Sequence, residues 1–134
     1  MKIEYRLGEE MKIYVARHWQ TLWNVQNRVC GRTDERFIEQ NYGIYEGVER
    51  TNQDFLANKR NFAYRYPGGE SMMQVAYRTY SLIEEIKEKY GDKNVLLICH
   101  GGVSRVINTY FNDLSNDEFF HYELENAKLQ EYEI

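Results

Sequence analysis

The chain has 134 residues, 43% of them hydrophobic, and a formal net charge of −4 from 17 basic and 21 acidic residues. This length suits one domain with one core, and the composition excludes a disordered chain. The acidic balance argues against nucleic acid as the main partner, yet leaves room for a small anionic ligand in a locally positive pocket.

No run approaches the ~20 apolar residues of a membrane span, and Met1 to Glu10 lacks the apolar stretch of a signal peptide. A reducing, cytoplasmic setting is therefore expected, with Cys30 and Cys99 as free thiols.

Lys12 to Ala16 is short, apolar and β-branched and predicts a buried strand that stops at Arg17 and His18. Trp19 to Asp34 is polar and reads as a loop, with room for one helical turn near Leu22 to Val25. Asn41, Gly43 and Gly47 mark a further irregular segment, and helix is expected over Val48 to Lys59 around Phe55 and Leu56. Tyr66-Pro67-Gly68-Gly69 holds the only proline and is the strongest breaker. Ser71 with Gln74 forms a capping box. Behind it Met72, Val75, Ala76, Thr79, Ile83, Ile86 and Tyr90 recur at three- and four-residue steps, one face of a long helix, with Gly91 at its C′ position.

Val95 to Cys99 is the clearest strand, followed by His100-Gly101-Gly102 and a helix over Val103 to Phe111. Ser115 and Glu118 form a second capping box before a short helix, and Ala127 to Ile134 alternates as a strand. Apolar strands alternating with helices predict an α/β sandwich with parallel pairing. Seven of the twelve tyrosines crowd the middle third (Tyr42 to Tyr90), where packing on helix faces is favoured over a pocket wall for an organic substrate.

Both apolar strands end in histidine, and open α/β sheets place ligands beyond the carboxyl ends of their strands. If the two strands are neighbours, Arg17, His18 and His100 converge. Taken singly, each histidine reads as a hydrogen-bonded structural residue. The coincidence, with two glycines after the second, points to a site. Metal is not expected: there are only three histidines, His121 lies in an acidic segment, and no Cys-x-x-Cys or His-Glu-x-x-His run exists. Phosphate chemistry fits better. It needs a permanently charged planar partner such as Arg17, a nucleophile uncharged at working pH such as imidazole, and a carboxylic acid for the leaving oxygen. Gly101 and Gly102 would let backbone N–H groups approach the anion.

Tyr14-Val15-Ala16-Arg17-His18, Gln20-Thr21, Trp23-Asn24, Arg28 and Gly31-Arg32-Thr33-Asp34 resemble the opening motif of the histidine phosphatase (phosphoglycerate mutase-like) superfamily. Arg36 to Glu39 with Tyr42-Gly43 and Glu46-Gly47 resembles its proton-donor segment. Pro67 to Ser71 resembles the turn before its long helix, Cys99 to Val103 its second signature, and Leu124-Glu125-Asn126 its ending.

The resemblance implies a reduced three-layer α/β sandwich with a small, mainly parallel central sheet over residues 11–134, and residues 1–10 as an N-terminal extension, strand or tail. It implies His18 as the nucleophile that carries the phosphoryl group, Glu39 as acid and His100 as stabiliser. Arg17, Asn24, Arg28, Thr21 and Gly101 would bind phosphate, with no cofactor or metal.

Three departures stand out. Trp19 follows His18 where the family has glycine, and residues 1–10 precede a natural start at Met11. Between Asp34 and Glu35 the family has a helix, a strand, a second helix and another strand, and with them a second phosphate-binding arginine. Arg28, Arg32, Arg36, Arg105 or a partner's residue are the candidates to replace it. The same loss is expected to bare one flank of the strand Val95 to Cys99, and a bare edge predicts a homodimer. The readings that follow are a phosphomonoester hydrolase acting on a small phosphorylated metabolite, a degenerate module that binds phosphate or a partner without turnover, and a shortened chain that does neither. A mutase-type isomerase is disfavoured for want of a basic cluster to hold a second phosphate.

Overall fold

The structure is a computed structural model and describes residues 2–5, 11–17 and 35–134. Two strands form its centre, β2 (Lys12–Arg17) and β3 (Lys93–Cys99). They pair in parallel, with Ile13 opposite Val95, Val15 opposite Leu97 and Arg17 opposite Cys99. Side chains alternate across a strand, so these apolar residues share one face, and Ile13, Val15, Val95, Leu97 and Cys99 are all buried.

Strand β1 (Lys2–Tyr5) lies antiparallel on β3, and β4 (Leu129–Glu133) antiparallel on β2, giving the order β1-β3-β2-β4. Parallel pairing is thus confined to the central pair, and both edges run the other way. The flank of β3 expected to be bare is occupied along Lys93 to Leu96 by β1. The chain's own first residues cover the edge from which a homodimer was inferred.

A parallel pair needs a crossover. Its described part includes α1 (Gln53–Ala57), a long loop and α2 (Met72–Tyr90). Helix α1 has five residues instead of the span from Val48 to Lys59. The Asn52 side chain accepts from the Phe55 N–H at 3.0 Å and so caps the helix there.

The box that starts α2 is as expected: Ser71 Oγ accepts from Gln74 N at 3.2 Å, and Gln74 Oε1 accepts from Ser71 N at 2.8 Å. Gly91 ends α2 in the right-handed region, φ −60°, rather than in the left-handed C′ conformation. Ser71→Ala removes the acceptor for one orphan amide. It should cost about 1 kcal/mol and lower Tm by about 3–5 °C, read by thermal denaturation followed by circular dichroism.

Helices α3 (Gly101–Phe111) and α4 (Asn116–His121) follow β3, the latter behind the expected Ser115–Glu118 box. Val75, Leu82, Ile83 and Ile86 of α2 and Val103, Val106 and Ile107 of α3 join the same buried cluster as Ile13, Val15, Val95 and Leu97. Tyr14, Ala16, Leu96 and Ile98, on the other sheet face, take no part in it. The described residues therefore supply the sheet and one helical layer of the expected sandwich.

Tyr80 and Tyr90 pack from α2 against the core, as expected of a helix face, whereas Tyr42, Tyr45 and Tyr66 belong to no long helix. Tyr42, Tyr45, Phe55 and Tyr66 hold their rings 5.1–6.0 Å apart in mostly edge-to-face pairs. This small aromatic core lets the loop-rich segment between Tyr42 and Tyr66 fold with little regular structure. Burial pushes the Tyr42 phenol up to about 12.

Candidate active site

The carboxyl ends of β2 and β3 and the N-terminus of α3 meet at one place. Arg17 is the last residue of β2 and faces Cys99, so it stands beside the point where the chain passes into His100. His100 is the N-cap of α3 and is exposed. Arg17 Nη1 donates to Glu123 Oε1 at 3.3 Å and to the Leu124 carbonyl at 3.5 Å. Glu123 is largely exposed, so this ion pair is weak and a phosphate dianion can compete with it.

Glu39 comes from a separate segment of the chain. It follows a 3₁₀ turn at Glu35–Phe37 and belongs to no helix or strand. Its Oε1 accepts from Gln40 N at 2.9 Å and its Oε2 from Gly102 N at 3.1 Å. A carboxylate at a helix N-terminus is favoured by the exposed amides and the helix dipole.

Both glycines after His100 leave room for neighbouring side chains. A Cβ on Gly101 would lie 3.3 Å from the Arg17 guanidinium carbon, and one on Gly102 only 2.4 Å from Glu39 Oε1. The Gly102 amide is already spoken for by Glu39.

Arg17, Glu39, His100 and Gly101, singled out from the sequence, are brought together. His18, Thr21, Asn24 and Arg28 lie outside the described residues, as do Trp19, Cys30 and Arg32. Of the described candidates for the missing arginine, Arg36 donates to Glu85 Oε2 on α2 at 2.5 Å. With Lys89, it holds the Glu85 carboxyl down to about 2. Arg105 Nε donates to the Tyr122 carbonyl at 3.2 Å, and its guanidinium lies 5.6 Å above the Phe119 ring. Both are committed to protein partners.

Cys99 is buried, and burial raises its thiol to about 12, with the charge of Glu39 adding to the effect. It is no nucleophile, because the thiolate is the reactive form. His121 lies with Nδ1 2.7 Å from the Asp117 carbonyl oxygen of its own helix. Among the described residues no group of three His, Cys, Asp or Glu can hold a metal, and no helix is long and apolar enough to cross a membrane.

The sequence reading missed Arg78 and Glu70. Arg78 Nη1 donates to the Arg36 carbonyl at 2.6 Å and Nη2 to the Glu39 carbonyl at 3.3 Å. Its Nε and Nη2 also donate to the Glu70 carboxylate at 3.1 and 3.2 Å. The available signal was an arginine at the i+3 position of the apolar stripe between Val75 and Leu82.

The chain matches a family model, the histidine phosphatase superfamily (branch 1), over residues 32–134. The match begins where the resemblance puts the missing segment, so Arg17 and His18 precede it. It is 34% identical over 113 residues to a probable fructose-2,6-bisphosphatase of Schizosaccharomyces pombe, covering 79% of this chain and 25% of that protein. It is 32% identical over 101 residues to 6-phosphofructo-2-kinase/fructose-2,6-bisphosphatase 1 of Rattus norvegicus, covering 75% of this chain and 19% of that one. The chain thus spans a quarter or less of the length of these relatives.

Among solved structures it resembles a mycobacterial glucosyl-3-phosphoglycerate phosphatase, with TM-score 0.69, 17% identity and coverage of 90% of this chain and 91% of that one. The α-ribazole phosphatase of Shigella flexneri gives TM-score 0.69 at 12% identity, covering 90% and 89%. These two likenesses bear on the fold.

Proposed function

The chain belongs to the histidine phosphatase superfamily, and from that premise we propose that it hydrolyses a phosphomonoester through a phosphohistidine at His18. An imidazole nitrogen of His18 attacks phosphorus, the P–O bond to the leaving group breaks, and the Glu39 carboxyl gives that oxygen its proton. Water then attacks the phosphohistidine, the P–N bond breaks to release phosphate, and the water's proton passes to solvent. Arg17 and His100 stabilise charge on the equatorial oxygens. Thr21, Asn24, Arg28 and Gly101 complete the phosphate pocket.

The observation that carries this reading is the placement of Arg17 and Glu39 on consecutive glycines, directly after His100 at the strand ends. His18 is the next residue in the sequence after Arg17.

The substrate class proposed is a small phosphorylated sugar, following the names of the relatives. A cytoplasmic setting and a homodimer belong to the same proposal. Since β1 covers β3 along Lys93 to Leu96, an edge contact between copies has Leu97 to Cys99 to use; analytical ultracentrifugation reads the outcome. The second reading, phosphate binding without turnover, is favoured by the commitment of Arg36 and Arg105 to other partners.

Phosphate release from a panel of sugar phosphates and simple phosphate monoesters at about pH 6–7, where neutral imidazole is available, separates the two. The hydrolase predicts a rate that falls at least ~10³-fold in His18→Ala. Phosphate binding with no His18-dependent rate on any ester would leave the binding module.

A further inference from the structure

Arg78 and Glu70 form the least exposed ion pair among the described residues, with side chains 17% and 19% exposed. Their bonds run to one place. Arg78 holds the carbonyls of Arg36 and Glu39. The Glu70 carboxylate, besides gripping Arg78, accepts from Asn41 N at 3.2 Å. The backbone of Glu70 donates to the Asn41 carbonyl at 2.8 Å and accepts from Gln40 Nε2 at 3.1 Å. Every residue from Glu39 to Asn41 is therefore tied to Glu70 or Arg78.

We propose that Arg78 is the positioning residue for the Glu39 carboxyl, anchored in turn by Glu70. The inference rests on the reading of Glu39 as the acid. Glu39 lies outside regular structure, so no helix or sheet ladder fixes its backbone. A guanidinium suits the task because its rigid fork of N–H donors serves a carboxylate and two carbonyls at once. With the backbone held to α2, the side chain spans to the first turn of α3 and meets Gly102 N. The clamp and the amide together aim the acid at the place where Arg17 and His100 meet. Arg78 itself touches the backbone of the acid and nothing that reacts.

A merely structural arginine would lower all activities alike. A positioning residue for an acid is exposed by the leaving group. An alkyl oxygen departs only with a proton, whereas a nitrophenolate departs unaided.

In Arg78→Met, kcat for alkyl phosphates should fall ~10²-fold with KM little changed. Turnover of nitrophenyl phosphate should stay within about threefold of the unaltered chain, and Glu39→Gln should show the same split. Arg78→Lys, which keeps the charge and loses the fork, should fall between. Lys87→Met on the same helix should be silent. Equal losses on both esters would overturn the inference while leaving the hydrolase intact.

If no ester is hydrolysed, the functional reading falls and a second measurement still decides the placement of the carboxylate. The ¹⁵N–¹H resonance of Gly102 should move in Arg78→Met, and in Arg78→Lys if the methionine variant does not fold, along the direction set by Glu39→Gln. A Gly102 resonance unmoved by the loss of Arg78 would sink the proposal.

Discussion

Gly102→Ala is expected to abolish most turnover of alkyl phosphates in a chain that stays folded. A Cβ at this position falls 2.4 Å from Glu39 Oε1 and 3.1 Å from its Cδ, well inside contact distance. The obstructing atoms belong to the end of a side chain, so the carboxylate swings away and the backbone survives. Gly102 also stands in the first turn of α3, where alanine is the better helix former by roughly 1 kcal/mol.

Stability and activity should therefore part company. Melting is unchanged or slightly raised, while kcat drops by ~10²–10⁴, the usual worth of a positioned acid. Combining Gly102→Ala with Glu39→Gln should cost little more than either alone, because both remove the same proton donor. Gly101→Ala provides the graded control. Its Cβ lies 3.3 Å from the Arg17 guanidinium, which can shift by a few tenths of an ångström, so the loss should be smaller and should fall mainly on KM. A kcat for Gly102→Ala within threefold of the parent would mean that Glu39 does not act from this position.

What the sequence made legible is what local periodicity and capping encode. Strands β2 and β3, helix α2 with its Ser71–Gln74 box and helix α4 with its Ser115–Glu118 box lie where their patterns put them. So do the two strand ends that place Arg17 beside the chain leading into His100.

Non-local contacts were not legible. Lys2 to Tyr5 has too short a pattern to announce itself, and only pairing with Lys93 to Leu96 makes it a strand. The expected bare edge is for that reason confined to Leu97 to Cys99. Phe55 and Leu56 alone suggest a helix reaching back to Val48, whereas the Asn52 cap starts it at Gln53.

Gly101 and Gly102 are marked in the sequence for the approach of an anion, and the groups lying against them in the structure are the chain's own Arg17 and Glu39. Glu39 could be named only through resemblance, and nothing local tied it to Arg78, which lies in a different element.

Gly43→Ala should be among the most destabilising single substitutions outside the core. Here two stretches of backbone cross in contact. A Cβ on Gly43 would sit 2.0 Å from the Pro67 carbonyl oxygen, 2.6 Å from Gly69 N and 2.8 Å from Gly68 C. From the other side, a Cβ on Gly69 would sit 2.3 Å from the Asn41 carbonyl oxygen and 2.6 Å from Gly43 N. None of these atoms can swing away as a side chain does. The crossing is held by Ile44 N donating to Pro67 O at 2.9 Å and Glu70 N donating to Asn41 O at 2.8 Å. Any side chain must force both apart.

Gly43 also has φ +59°, where a Cβ costs about 1–2 kcal/mol by itself. Gly47 isolates that part: its φ is +79° and nothing lies within 4 Å of its would-be Cβ. Urea denaturation should show Gly47→Ala losing about 1–2 kcal/mol and Gly43→Ala losing about 3–5 kcal/mol. The difference measures the crossing. Because the crossing delivers Glu70 and Asn41 to each other, Gly43→Ala should also loosen the clamp on Glu39 and lower turnover in the molecules that remain folded. If both alanine variants lose the same stability, the two backbones part without cost, and the segment carrying Glu39 is held by the Arg78–Glu70 pair alone.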